Sequence, residues 1–193
     1  LYYRLRLMGY QWNHKPVYRV YMALKLNKRR KPKRKLPERP RLPLDVPSEL
    51  NDTWSMDFVT DALSNGYKFR VLNLMDDCSR EALAATADTS ISSKRVVRIL
   101  DQILEYRDKP RNLRVDNGPE FIAKPLGKWA EKNGINLIFI QPGKPVQNGF
   151  IERLNGTIRR EVLNQFWFDD LDQVRQKLED WIVEYNRYRP HQG

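Results

Sequence analysis

The chain has 193 residues, 40% of them hydrophobic, with nine Tyr, seven Phe and five Trp, enough for one sizeable core and a smaller appendage. No apolar run approaches the roughly 20 residues of a membrane span, and no secretory apolar stretch opens the chain, so a membrane protein is not expected. A single Cys, Cys78, and two His, His14 and His191, leave no internal disulfide and no Cys-rich zinc site, and cytosol is the default compartment.

Residues 1–26 read as two short helices. Leu1, Leu5 and Met8 repeat at near-helical spacing, and Gly9 can end that turn. Asn13 is a candidate N-cap for a second helix with Pro16 in its first turn and Val17, Val20, Tyr21 and Leu24 on one face. Together they would make half of a helix-turn-helix DNA-binding segment, though any small helical hairpin fits the pattern. The chain begins with Leu1, not Met, and closes on Arg189-Pro190-His191-Gln192-Gly193; both ends read as those of a fragment.

Residues 27–50 hold five Pro and no apolar periodicity, and are expected to be a linker. The net charge of +11 is concentrated at this end. Residues 1–50 carry 14 Lys and Arg against 3 Asp and Glu, whereas residues 51–193 carry 21 of each. Seven cations, Lys28, Arg29, Arg30, Lys31, Lys33, Arg34 and Lys35, fall within eight residues. Such a run repels itself and gains by neutralising a polyanion, so nucleic acid is the expected partner; a solvated linker is the plain alternative.

From Thr53 the pattern becomes that of strands: Trp54–Val59, Tyr67–Met75 after a turn at Ser64-Asn65-Gly66, and Ala82–Thr86. A helix follows, capped at Ser92 or Ser93, with Val96, Val97, Leu100, Ile103 and Leu104 inward. Then come a strand over Asn112–Val115, a helix from about Phe121 to Asn133 ending at Gly134, and a strand over Ile135–Ile140. Pro142-Gly143-Lys144-Pro145 breaks the chain ahead of a long helix, about Asn148 to Gln165. Its apolar stripe is Ile151, Leu154, Ile158 and Val162, and its polar stripe is Glu152, Asn155 and Arg159. A last helix runs from about Asp170 to Tyr185, with Leu171, Val174, Leu178, Trp181, Ile182 and Tyr185 inward. This order gives an α/β fold with a mixed five-stranded sheet and flanking helices. The domains are then 1–26, 27–50 and 51–193.

Three carboxylates stand out. Asp57 lies mid-strand among apolar neighbours, Asp116 directly follows a strand, and Glu152 opens a helix with 35 residues between it and Asp116. Singly, each is an ordinary turn or helix-start residue. Together, three hard oxygen ligands at strand ends suit two Mg²⁺ or Mn²⁺ ions and phosphoryl transfer on nucleic acid, with no His, Ser or Lys needed as base. Asp76, Asp77, Glu120 and Glu161 are competing acids of lower rank. Lys144, Gln147 and Asn148, in the loop leading to Glu152, are expected with Asn155 and Arg159 to face DNA.

These motifs resemble the OrfB-type transposases of the IS-three insertion-sequence family, which share a DDE integrase core with retroviral integrases. Trp54-Ser55-Met56-Asp57 resembles the first-aspartate strand, and Asp76-Asp77-Cys78-Ser79-Arg80 the hairpin. Val115-Asp116-Asn117-Gly118-Pro119-Glu120-Phe121 resembles the second-aspartate motif, and Gln141-Pro142-Gly143-Lys144-Pro145-Val146-Gln147-Asn148-Gly149-Phe150-Ile151-Glu152-Arg153-Leu154-Asn155 the glutamate motif. Tyr185-Asn186-Arg187-Tyr188-Arg189-Pro190-His191 resembles the closing tail, and Asn13-His14-Lys15-Pro16-Val17-Tyr18-Arg19 the end of the helical region. The resemblance implies a ribonuclease-H-like fold and Mg²⁺-dependent cleavage and strand transfer at element ends. Asp57, Asp116 and Glu152 would be the metal ligands, zinc would be absent, and the protein would form a homo-oligomer on DNA in a bacterial cytoplasm. A plain hydrolytic nuclease and a non-catalytic DNA-binding relative are the other readings. A DNA-joining assay separates the three.

Overall fold

A computed structural model describes residues 1–26, 47–141 and 148–189. Five strands form one sheet: β1 (Thr53–Ala62), β2 (Lys68–Asp76), β3 (Ala82–Asp88), β4 (Asn112–Val115) and β5 (Asn136–Phe139), in the order β3-β2-β1-β4-β5. β1, β2 and β3 are antiparallel neighbours, while β4 runs parallel to β1 and β5 parallel to β4. The mixed sheet expected from the sequence is therefore present. The β1–β2 hairpin turns at Gly66, whose φ of 85° is one that L side chains rarely adopt.

β1 lies at the centre and is buried on both faces, so its first residues do not alternate as a half-buried strand would. On one face Trp54, Met56, Leu72, Leu74 and Leu113 pack against α3 (Ser93–Leu104) and α5 (Lys124–Asn133). On the other, Val59, Phe69, Val71 and Met75 pack against α6 (Gly149–Ile158) and α7 (Leu171–Tyr188). Asp170 caps α7 by accepting from the Gln173 amide at 2.9 Å.

Two expected helices are divided. The one expected over Phe121–Asn133 is α4 (Pro119–Ile122) followed by α5, with Ala123 extended between them at ψ 143°. Pro125 causes the break: it has no N–H for the Phe121 carbonyl, and its ring crowds the preceding turn. Gly134 ends α5 in the left-handed conformation, φ 66°, as expected. The long helix expected to Gln165 ends as α-helix at Ile158 and continues as a π-helical turn over Arg159–Leu163. Its apolar stripe, Ile151, Leu154, Ile158 and Val162, is buried as the periodicity requires.

The amino-terminal segment has α1 (Tyr2–Leu7) and α2 (His14–Ala23). The expected inward face of α2 is not buried: among the described residues of this segment Val17 alone is, while Val20 and Leu24 are exposed. Asn13 precedes α2 but makes no side-chain cap bond. α1 meets α7 through Arg4 and Glu184, 2.7 Å apart. Among the described residues, no helix is long and apolar enough to cross a membrane.

Candidate active site

The parallel pairing of β1 and β4 places the two aspartates. The last paired residues are Ser55 and Arg114, and Asp57 and Asp116 each lie two residues beyond them. The period of a strand is two, so both aspartates point to the face that Ser55 and Arg114 occupy, on strands about 4.8 Å apart. That is the face covered by α6.

Asn155 fixes α6 over Asp57. Its Nδ2 donates to Asp57 Oδ2 at 2.8 Å, and its Oδ1 accepts from Asn73 Nδ2 at 2.7 Å. Asn73 is the direct cross-strand partner of Asp57 on β2 and is fully buried. Glu152 lies three residues before Asn155, on the same side of the helix, and is exposed. The charges of Asp116 and Glu152 both reach Asp57. The Asp57 carboxyl is pushed up to about 6, chiefly by burial, with Asp116 and Glu152 adding to it. The Phe58 amide and Asn155 oppose the rise by donating to the carboxylate. Asp116 accepts from the Gly118 amide at 2.8 Å, and the Asn117 side chain donates to the Ile140 carbonyl. A Cβ on Gly118 would sit 2.9 Å from Asp116 Oδ1, so this turn needs Gly for close approach.

The donor chemistry, all carboxylate oxygen, fits a hard divalent cation. The spacing is more open: among the described residues, no three Asp, Glu, His or Cys side chains are grouped closely enough to hold a metal ion. Like charges on three separate elements hold apart, and a divalent cation is what would offset that repulsion.

The competing acids are engaged elsewhere. Asp76 and Asp77 are fully buried beside Arg107 and Arg114. Glu120 pairs with Arg70; burial pulls it upward, but the Arg70 hydrogen bond and charge bring it below the usual carboxylate range. Glu161 accepts from the Trp181 indole and pairs with Arg189.

The residues expected to face DNA divide. Glu152 is exposed as expected. Asn155 is instead committed to Asp57 and Asn73, because its helical position points it under α6 rather than away from the sheet. Arg159 donates to the Thr60 carbonyl at 2.8 Å and lies 3.5 Å from Asp61, so the π-helical turn is tied to the end of β1. Asn148 is buried, and its Oδ1 has no hydrogen-bond partner among the described residues. Lys28, Arg29, Arg30, Lys31, Lys33, Arg34, Lys35, Lys144 and Gln147 lie outside the described residues. Asn73 was not singled out from the sequence; its only signal was a polar residue within an apolar strand.

Two family descriptions match, both named integrase core domain, over residues 47–145 and 133–193. The chain is 47% identical over 181 residues to an uncharacterized 39.2 kDa protein of insertion element IS476 from Xanthomonas euvesicatoria, covering 93% of this chain and 52% of that protein. It is 43% identical over 183 residues to an uncharacterized 31.7 kDa protein of insertion element IS407 from Burkholderia multivorans, covering 95% of this chain and 66% of that protein. The chain thus spans about half to two thirds of the length of these relatives. Among solved structures, it is similar to a chain of the simian T-cell lymphotropic virus intasome, TM-score 0.68 at 19% identity, covering 80% of this chain and 55% of that one. It is also similar to the HTLV-2 integrase catalytic core in complex with magnesium, TM-score 0.60 at 19% identity, covering 75% and 92%. These two likenesses establish the ribonuclease-H-like fold. The matches across nearly the whole described sheet and the insertion-element relatives lead to one conclusion: the chain belongs to the integrase core domain family, in the form carried by insertion elements.

Proposed function

We propose that this chain is the catalytic core of a DDE transposase that cuts and joins DNA strands at insertion-element ends with Mg²⁺ or Mn²⁺. The observation that carries the reading is the placement of Asp57 and Asp116 side by side on parallel strands, with Glu152 above them and the Asp57 carboxyl raised to about 6. Asp57, Asp116 and Glu152 would hold two ions, which when bound polarise the scissile phosphate and activate water or a 3′-hydroxyl. The chain's own part is positional. Asn155 turns one Asp57 oxygen toward α6, and the Asn73 link ties the Glu152 helix to β2. The turn at Gly118 holds the Asp116 carboxylate by its Oδ1.

The partner is DNA, both element ends and target, with the 28–35 cations, Lys144 and Gln147 as backbone contacts and 1–26 as a DNA-binding segment. Residues 27–50 link it to the core, 51–193. Assembly on DNA as a homo-oligomer in the bacterial cytoplasm completes the reading, with no zinc. A labelled element-end duplex and a target plasmid, incubated with the protein and Mg²⁺, test it. Nicking and joined product are expected, both abolished by EDTA. Nicking without joining would leave a hydrolytic nuclease, and neither would leave a DNA-binding protein.

A further inference from the structure

The turn between β2 and β3 presses a cation against the helix that carries Glu152. Arg80 is in the left-handed region, φ 63°, a conformation that costs a side-chain-bearing residue. Its guanidinium donates to the Asp77 carbonyl and lies over the Phe150 ring in the first turn of α6, 3.2 Å from the centroid. Arg80 is thus held by two fixed partners, and neither is an anion.

Arg153 lies three residues after Phe150 on the same helix, one turn from the ring that Arg80 covers. It is exposed, on the first turns of α6 and adjacent to Glu152 in sequence. Among the described residues, neither arginine forms an ion pair. Each feels the other. Burial lowers the Arg80 guanidinium, and the Arg153 charge lowers it further, against the pull of Asp77. Both also act on one group, the Tyr185 hydroxyl: burial raises it, and the charges of Arg189, Arg80 and Arg153 oppose that rise. Arg189 pairs with Glu161, whereas Arg80 and Arg153 are in no ion pair among the described residues; Asp77 acts on Arg80 by charge, while its Oδ2 is engaged by Ser55 and Arg114. Two guanidinium groups at one end of α6, one of them on left-handed backbone and neither in an ion pair among the described residues, favour an anion from outside. Guanidinium forks match a phosphate diester well.

We propose that Arg80 and Arg153 together hold one backbone phosphate of the DNA strand lying along α6 beside Glu152. This rests on the DNA-processing function above. The pair would set the strand's register relative to the three acids, because phosphate contacts position and carry no sequence information.

The test is a salt titration of binding to a labelled random-sequence duplex, with Arg153→Gln, Arg153→Lys and the double Arg80→Gln/Arg153→Gln. One phosphate contact contributes about 0.9 to the slope of log affinity against log salt. Arg153→Gln should flatten the slope by about 0.9, and Arg153→Lys should retain most of it. The double variant should flatten it by the same 0.9, not by twice that, because both arginines serve one phosphate. Arg153 is exposed, so its variants fold even if the Arg80 change disturbs the turn. A wild-type slope in Arg153→Gln overturns the proposal. A melting shift from inorganic phosphate that depends on Arg153, with an unchanged DNA slope, assigns the pair to a free anion and also overturns it. Wild-type protein that binds and nicks DNA while Arg153→Gln keeps its slope removes only this site. Wild-type protein that neither binds nor nicks removes the function and the site together.

Discussion

Two groups of carboxylates differ in their surroundings, although Asp77 and the pair Asp57 and Asp116 lie toward one face of the same sheet, about one pleat apart, with Asp76 on the other face opposite Trp54. In the first, Asp77 lies under Ser55 and Arg114, with Ser55 Oγ at 2.8 Å and Arg114 Nη1 at 2.6 Å. Its neighbour Asp76 accepts from the amides of Asn51, Cys78 and Ser79 and lies beside Arg107. In the second, two residues further along β1 and β4, Asp57 and Asp116 have no ion pair among the described residues. Glu152 only adds negative charge. Among the described residues, the fold pairs cations with the first acids and none with the second. A buried acid supplied with a cation is part of the architecture; a cluster held without one is poised for a cation from solution.

The largest effect that tests this contrast is catalytic. Asp57→Asn, Asp116→Asn or Glu152→Gln should each lower Mg²⁺-dependent joining by a factor on the order of 10³ or more, as loss of charge stabilisation at a reacting phosphate does. The fold should persist, since none of the three has a protein cation to strand. Joining and thermal melting are measured on the same preparations. Near-normal joining by any one variant removes that residue from the site.

The first group should behave in the opposite way. Asp77→Ala leaves Arg114 mostly buried beside no carboxylate, which costs about 3–5 kcal/mol. Burial also raises the Asp77 carboxyl, with Asp76 adding to the rise and Ser55, Arg114 and Arg80 opposing it. Urea unfolding reads the loss of stability, and joining per folded molecule should stay near wild type. A stable Asp77→Ala protein with no joining would move Asp77 into the reactive group and end the contrast.

A smaller effect comes from pH. Folding raises Asp57 to about 6, so the folded protein binds this proton more tightly than the unfolded chain. The stability gained from the protonated form is complete near pH 4 and is lost as pH rises through about 6. Metal-free Asp57→Asn should therefore melt close to wild type at pH 4 and about 3–6 °C above it at pH 7.5, taking 1–2 kcal/mol at about 3 °C each. Saturating Mg²⁺ should stabilise wild type and not the variant, narrowing or reversing the gap. Equal melting of the two proteins at pH 7.5 without metal would mean that Asp57 carries no strain.

Much of this was legible in the sequence, for identifiable reasons. Strand order and the buried stripe of α6 follow from periodicity, which burial enforces. The mid-strand, strand-end and helix-start positions of Asp57, Asp116 and Glu152 were legible through their settings and through long motifs shared with a family. Helix continuity was not: Pro125 lies inside an apolar pattern that reads as one helix, and the π-helical turn carries no signal of period. Nor was the role of Asn155 legible. A helix wheel puts it beside Glu152, but only the height of α6 above β1 decides whether an amide there meets solvent or Asp57. The face of α2 failed for the same reason. Val20 and Leu24 have helical spacing, yet spacing does not say what lies opposite.

Arg159 gives the smallest expected effect. The sequence pattern placed it on the DNA-facing stripe with Glu152, seven residues earlier, which is close to two full turns. The structure gives it protein partners at the end of β1, the Thr60 carbonyl and Asp61. The Arg159 side chain is 43% exposed, so the ion pair is screened and is worth less than about 1 kcal/mol. Arg159→Ala should therefore lower stability by at most about 1 kcal/mol, whereas Leu154→Ala, on the buried side of α6, should cost about 2–5 kcal/mol. Asp61→Asn separates the two roles open to Arg159. It removes the ion pair and leaves the guanidinium free to reach a phosphate. If Arg159 only ties the π-helical turn to β1, both variants should weaken stability alike and leave the salt slope of DNA binding unchanged. If it also meets DNA, Arg159→Ala should flatten that slope by about 0.9 and Asp61→Asn should not. The second outcome would extend the DNA track along the exposed side of α6, and the first would confine it to the turns around Glu152 and Arg153.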